Sequence, residues 1–303
     1  MIIAPDWTEY SVIATGDGEK LERWGKLTLL RPDPQIIWHA AKPLRSYENI
    51  DAIYERSATG GGQWVYNKQI EPEFKLHWRE LTFSLKLMGF KHTGIFPEQA
   101  ANWDRMIKLI SQSERKINVL NLFGYTGAAS IACKSAGADV CHVDGAKAMV
   151  ERAGKNLKLS KLDKTGMRFI IDDCFKFCMK ELRRGNRYDA IILDPPSFGR
   201  GPNGEKWKIE EGISELMELV AKLLSDDPLF VCLNSYTTGL QPGVMANVLK
   251  LALPDNAVIT ADEIGLQTEE GLVLPQGCTA FATFDKKTDC ESNYDLQRFA
   301  DIV

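Results

Sequence analysis

From residue 117 to residue 284, short apolar runs alternate with longer mixed ones, and this rhythm constrains the fold more than any other feature of the chain. The runs at 117–122, 139–143, 168–171, 188–193 and 229–234 are short and largely apolar, as strands buried on both faces must be. Between them, 127–136, 147–161, 174–184 and 209–224 read as helices, followed by a helix at 242–253 and strands at 257–263 and 279–284. Strands of that kind alternating with helices predict an α/β fold: a Rossmann-like, doubly wound, mostly parallel sheet covered on both faces. The closing strand pair leaves room for an antiparallel edge, so the final strand is expected to run antiparallel.

Residues 1–75 follow another pattern. β-prone stretches at 10–14, 26–30, 35–38 and 63–66 are separated by Pro32, Pro34, Pro43 and the Gly60-Gly61-Gly62 joint. Trp7, Trp24, Trp38 and Trp64 fall here and supply the large apolar area that a small β-rich domain needs. Segment 76–112 adds half-buried strands and a helix at 98–111, the alternating strand–helix rhythm occupies a domain at 113–285, and 286–303 is a polar tail.

Composition sets limits. With 41 acidic and 37 basic residues the net charge is −4, so nucleic acid binding would need a local basic patch rather than a global field. No apolar run is long enough to span a bilayer. Seven scattered cysteines, several inside apolar runs, fit a reducing, cytoplasmic setting. Cys174 and Cys178 lack a second cysteine pair or a nearby histidine, so no metal site is expected.

Ligands of open parallel sheets bind beyond the carboxyl ends of the strands. The first strand ends in Asn121-Leu122-Phe123-Gly124-Tyr125-Thr126-Gly127, where two glycines permit a tight turn. The second ends in Asp144-Gly145, the third in Asp172-Asp173-Cys174 and the fourth in Asp194-Pro195-Pro196-Ser197-Phe198. Either Asp172 or Asp173 can cap the next helix while the other faces a ligand. A loop follows with Arg200, Lys206, Trp207 and Lys208, suited either to a nucleic-acid contact or to a solvated rim. The basic face at 147–161 reads as solvated surface.

These turns resemble class I S-adenosylmethionine-dependent methyltransferases. The Asn-Leu-Phe-Gly-Tyr-Thr-Gly turn with Asp-Pro-Pro-Ser-Phe is similar to the large-subunit ribosomal RNA enzymes that make 5-methylcytosine or 7-methylguanine. Thr93-Gly94-Ile95-Phe96-Pro97-Glu98-Gln99 resembles their segment that closes over the cofactor. The likeness spans about residues 70–285. It implies S-adenosylmethionine as cofactor, with Asn121, Phe123, Gly124, Tyr125, Thr126 and Gly127 around its methionine part. It implies Asp144 and Gly145 at the ribose, Asp173 and Cys174 at the adenine, and Phe96 and Gln99 as a cover. Asp194 and the Pro195 carbonyl would face sulfonium and acceptor, Phe198 would stack on the acceptor, and Arg200, Lys206 and Trp207 would touch RNA.

Methylating a pyrimidine carbon requires a cysteine thiolate that adds to the ring. The resemblance places that thiol after the fifth strand, whereas this chain has Cys232 inside the strand and Asn234, Ser235 and Tyr236 beyond it. A base nitrogen in ribosomal RNA is therefore the expected acceptor, with protein or a small molecule as the rival. A nicotinamide-dependent dehydrogenase would need Gly-x-Gly-x-x-Gly where the chain has Gly124-Tyr125-Thr126-Gly127-Ala128-Ala129. No membrane partner is expected, and oligomeric state is left open, a homodimer being one option.

Overall fold

The computed structural model describes residues 1–5, 7–57, 61–89, 91–200 and 206–285, with the backbone alone for Arg200. The expectations for the 286–303 tail, for Gly60 and for loop residues 201–205 lie outside the described residues. The chain begins with β1 (Ile2–Ile3), β2 (Tyr10–Gly16), β3 (Glu19–Trp24), β4 (Leu27–Pro32), β5 (Ala52–Arg56) and β6 (Gly62–Tyr66). A hairpin follows, β7 (Phe74–Trp78) and β8 (Leu81–Leu85), then a 3-10 turn over Pro97–Gln99 that runs into α1 (Ala100–Ser111). Next come β9 (Asn118–Leu122), α2 (Ala128–Ser135), β10 (Asp139–Asp144), α3 (Lys147–Leu159), β11 (Met167–Ile171) and α4 (Cys174–Arg183). The chain continues through β12 (Ala190–Leu193), β13 (Phe198–Arg200), β14 (Lys206–Lys208), α5 (Ile209–Leu223), β15 (Phe230–Ser235), α6 (Pro242–Ala252), β16 (Ala257–Gln267) and β17 (Val273–Phe284).

The large sheet has the order β1-β16-β17-β15-β12-β9-β10-β11. The pairs among β9, β10, β11, β12 and β15 are all parallel. The final strand is antiparallel, but it is no edge: β17 lies between β15 and β16 and runs against both. Its buried run Ala280, Phe281 and Ala282 has no polar face to turn to solvent, which explains the interior place. The edge instead belongs to the two-residue β1. Because β9 pairs with β10 on one side and β12 on the other, the strand order reverses there, and a crevice opens above their carboxyl ends.

The N-terminal sheet has the order β2-β3-β4-β5-β6. Residues 35–38 do not form the expected strand. Ile36 N–H closes a turn onto the Asp33 carbonyl, and the Ile36 and Trp38 carbonyls accept from Gly18 and Asp17 at the β2–β3 turn. Prolines at 32 and 34 remove the donors that a strand would need there. β3 and β5 escaped the sequence reading because charge masks their alternation. Glu22 of β3 is fully buried and takes a bidentate pair from Arg31 at 2.6 and 2.7 Å and the Tyr10 hydroxyl at 2.8 Å.

Nor is the α3 basic face only solvated. Arg152 donates to the Ser84 carbonyl at 3.1 Å, and Lys155 pairs with Glu73, so two of its cations grip the β7–β8 hairpin. The six described cysteines are free and buried. Among the described residues no helix is long and apolar enough to cross a membrane.

An aromatic cluster joins the two sheets. Trp103 of α1 meets Trp7 at 6.0 Å, Trp78 at 5.3 Å and Phe83 at 5.9 Å between ring centroids. Edge-on packing of this kind adds to the area that each ring removes from water. Trp103→Ala is expected to lower the unfolding free energy by about 3–5 kcal/mol, read as a reduced urea midpoint. An unchanged midpoint would show that the ring carries no packing.

Candidate active site

A cleft of about 1020 Å³ lies above the carboxyl ends of the parallel strands, with the N-terminal sheet as its opposite wall. The β9–α2 turn forms its floor. Phe123, Tyr125 and Gly127 all take positive φ, at 56°, 51° and 86°. Gly124 lies so close to His142 that a Cβ would come within 2.3 Å of the imidazole, so only glycine fits. Behind the turn, the Asn121 amide donates to Ser130 Oγ at 2.8 Å, and Ser130 Oγ meets His142 Nδ1 at 3.0 Å. Burial pushes the His142 imidazole down to about 4, so it is neutral. Thr126 points inward as well, its hydroxyl donating to the Gly94 carbonyl at 2.5 Å. Asn121 and Thr126 thus brace the turn with their side chains.

Asp144 stands at the end of β10. Its two carboxylate oxygens accept from Tyr125 N–H and Ala146 N–H, each at 2.8 Å, which fixes the carboxyl and leaves a lone pair on each oxygen. Burial pushes its proton affinity up, and the two amides pull it back. Gly145 lines the cleft beside it. Asp173 is the residue that caps α4, accepting from Lys176 N–H at 2.9 Å, while Asp172 binds Lys180 at 2.6 Å. Both still line the cleft, as does Cys174, whose thiol accepts from Phe123 N–H at 3.2 Å.

At the other end of the floor stand Asp194 and the buried Pro195. Burial, and then the Glu98 carboxyl, push the Asp194 carboxyl up to about 7. Glu98 is itself buried and raised by that burial, and the Tyr236 hydroxyl faces it. Gln99 donates to that hydroxyl at 2.8 Å and accepts from Asn102 at 3.0 Å, so it sits within a side-chain network behind the cleft. Phe96 lies between Tyr125 and Tyr236, at 5.7 and 5.4 Å.

The rim is a short β13–β14 hairpin. Trp207 donates to the Pro196 carbonyl at 2.7 Å and packs against Phe123 at 5.6 Å, so its ring forms part of the cleft wall. Lys206 is exposed, and the Arg200 side chain lies outside the described residues. Phe198 is 54% exposed on this hairpin and does not line the cleft as it stands.

The sequence reading passed over Glu98, Tyr236 and His142. It also passed over the second wall, where Lys20, Arg31, Asp33, Lys91, His92 and Gln276 face the cleft. Glu98 sat inside a recognised segment, and an acid directly after the apolar Ile95-Phe96-Pro97 run was the available signal. The second wall had none, because its residues come from segments far apart in the chain.

A family model described as S-adenosylmethionine-dependent methyltransferase matches residues 54–241. The crystal structure of a SAM-dependent methyltransferase from Agrobacterium tumefaciens has a TM-score of 0.88 at 30% identity, covering 93% of this chain and 92% of that one. Ribosomal RNA large subunit methyltransferase K/L of Shewanella oneidensis is 31% identical over 196 residues, 64% of this chain and 25% of that protein. Ribosomal RNA large subunit methyltransferase I of Tolumonas auensis is 36% identical over 119 residues, 39% of this chain and 29% of that protein. The matched stretches span between 20% and 48% of the length of the curated relatives.

The Asp194 environment has a measurable effect on stability. An unperturbed aspartate titrates at 3.8 and the folded one near 7, so between these pH values the folded state holds a proton that the unfolded chain has lost. Stability from this group is present below 3.8 and is lost as pH rises through about 7. Asp194→Asn removes the charge without changing shape. By scanning calorimetry its Tm is expected to exceed that of the parent at pH 8 and to match it at pH 4. A lower Tm for the variant at pH 8 would contradict the burial argument.

Proposed function

The chain belongs to the S-adenosylmethionine-dependent methyltransferase family, and we propose that it transfers a methyl group to a base nitrogen in ribosomal RNA. The floor residues suit the cofactor. Glycine at 124 lets the turn backbone lie directly on His142, and this packing sets the shape of the turn that would hold the methionine part. The Asp144 carboxylate, held by two amides, has the two free lone pairs that a ribose diol requires. Asp173 and Cys174 would meet the adenine, and Phe96 would cover the methionyl side. Gly145 and the remaining turn residues would complete that pocket, with Gln99 bracing Tyr236 from behind it.

The observation that carries the choice of acceptor is the contrast between Asp194 and Cys232. Cys232 is 0% exposed, its thiol lies against Thr279 and Asn234 at 3.7 and 3.8 Å, and burial pushes it up to about 12. It can neither reach a pyrimidine ring nor supply a thiolate. Asp194 faces the cleft and titrates where a proton acceptor works best at neutral pH. RNA as the substrate is supported by the names of the Shewanella and Tolumonas relatives. The exposed Lys206 and Lys208 beside Trp207 at the rim agree with it.

When bound, S-adenosylmethionine supplies a methyl already activated by positive sulfur. What remains for the protein is alignment and proton transfer. Asp194 and the Pro195 carbonyl would accept hydrogen bonds from the acceptor amine and so turn its lone pair toward the methyl. The Asp194 carboxylate would take up the proton that the acceptor nitrogen loses on methylation. Phe96 and Trp207 would keep water from the line of attack. Phe198, exposed on the rim, would fold over an extruded base.

Asp144→Ala is expected to weaken S-adenosylmethionine binding by about 2–4 kcal/mol in calorimetry, since two charge-assisted hydrogen bonds are lost. Unchanged affinity in a folded variant would remove Asp144 from the pocket. For transfer, ribosomal RNA treated with the protein and labelled cofactor should yield an N-methylated nucleoside by mass spectrometry. Asp194→Asn should slow single turnover by about ten- to a hundredfold, and the parent rate should rise as pH passes about 7. Cys232→Ser, whose hydroxyl can bond to Thr279 and Asn234, should keep its rate. A carbon-methylated pyrimidine, or loss of turnover in a folded Cys232→Ser, would overturn the nitrogen reading.

A further inference from the structure

Beyond the reactive end, the cleft continues into an arm between the N-terminal sheet and the β16–β17 hairpin. We propose that this arm is a phosphate subsite, in which Lys91 and His92 hold a phosphate of the acceptor nucleotide. The inference rests on the methyltransferase reading for the place of the acceptor, and on the RNA reading only for where the phosphate comes from.

Of Lys20, Arg31 and Lys91, Lys91 alone has no carboxylate within ion-pair distance among the described residues, while Glu263 is a further acid on the cleft lining. Lys20 pairs with Asp33 at 3.1 Å and takes a hydrogen bond partner in Gln276 at 2.8 Å. Arg31 is bound on both sides of its fork by Glu22 and donates its remaining nitrogen to the Lys91 carbonyl at 2.9 Å. Lys91 has no carboxylate partner among the described residues; its amine reaches only the Pro32 carbonyl, at 3.4 Å. It is half-buried in the cleft wall, where burial pushes its proton affinity down, Lys20, Arg31 and Arg56 push the same way, and Asp33 opposes them. A half-desolvated, uncompensated ammonium is costly, and an anion is the ligand that offsets the cost.

His92 supplies the second donor. It too is half-buried in the cleft and has no side-chain hydrogen bond among the described residues. Its ring stands 5.4 Å from Phe96, which in turn touches Tyr125 and Tyr236, so the subsite adjoins the reactive end. The imidazole is neutral, with its pKa pushed down to about 4 by burial and then by the neighbouring cations, and offers one N–H. A phosphate can take an ammonium and an N–H on separate oxygens. A planar carboxylate would better suit an Arg fork, and the Arg31 fork is occupied.

The test uses the full chain saturated with S-adenosylhomocysteine, so that the cofactor pocket is filled. Calorimetric titrations with uridine 5′-monophosphate, uridine and a short single-stranded oligoribonucleotide are compared in the parent, Lys91→Gln and His92→Ala proteins. The monophosphate should bind and uridine should bind more weakly. Lys91→Gln should weaken the monophosphate by about tenfold, with unchanged S-adenosylhomocysteine affinity showing that the variant is folded. No monophosphate binding to the parent, or equal binding to Lys91→Gln, would overturn the subsite. Oligonucleotide binding unaffected by Lys91→Gln would also overturn it, leaving the RNA reading in place. Monophosphate binding that depends on Lys91 without any oligonucleotide binding would support the subsite as one for a small phosphorylated acceptor, and the RNA reading would fail.

Discussion

The cleft exists because Trp103 packs against Trp7, Trp78 and Phe83. A parallel sheet with helices on both faces offers only an open crevice at its strand ends. Here the indole contacts clamp the N-terminal sheet and the β7–β8 hairpin onto α1, which starts directly after the 3-10 turn carrying Glu98 and Gln99. The same packing that buries apolar area therefore sets the distance between the two walls. Arg152 and Lys155 of α3 add polar ties to the hairpin, so the floor and the facing wall are joined through two helices.

That clamp also explains the state of the acids. Glu98 is buried because its turn lies under the N-terminal wall, and its carboxyl is one of the two causes that raise Asp194. Two acids in one desolvated site cannot both ionise cheaply, and Tyr236 with Gln99 supplies partial compensation rather than a counter-ion. Such a cluster is a cost to the fold.

The large sheet was legible in the sequence because its strands are buried on both faces and their apolar runs are uninterrupted. The strand-end turns were legible because a glycine-bearing turn after the first strand and an acid after each of the next three recur in chain order, even though an acid such as Asp173 can also serve as a helix cap. The place of β17 was not, since strand order depends on which neighbour covers an apolar face, and a run such as Ala280-Phe281-Ala282 does not state its partners. In the N-terminal sheet, buried Glu22 and Arg31 broke the hydrophobic pattern. Their pairing is a tertiary event, and local propensity carries no trace of it. Whether Asp172 or Asp173 caps α4 likewise turned on backbone geometry, which residue types alone leave open.

The wall that faces the strand ends is sewn from opposite ends of the chain. Gln276 bonds to Lys20 across 256 residues and to Asp33 across 243, Glu270 accepts from Thr15 N–H across 255, and Val12 bridges to Thr268. Closing such long loops is slow, and contacts of this span form late in folding. By contrast, β9, β10, β11 and β12, whose ends carry the floor of the cleft, follow one another within residues 118–193. During synthesis the floor can therefore take shape while the facing wall still waits for the final hairpin. A chain stopped or cut before β16–β17 would keep the strand ends that carry the floor and the clamp at Trp103, but it would lose Gln276 and the other hairpin residues that pin the far side of the facing wall, and with them the narrow space in which two reactants can be held together.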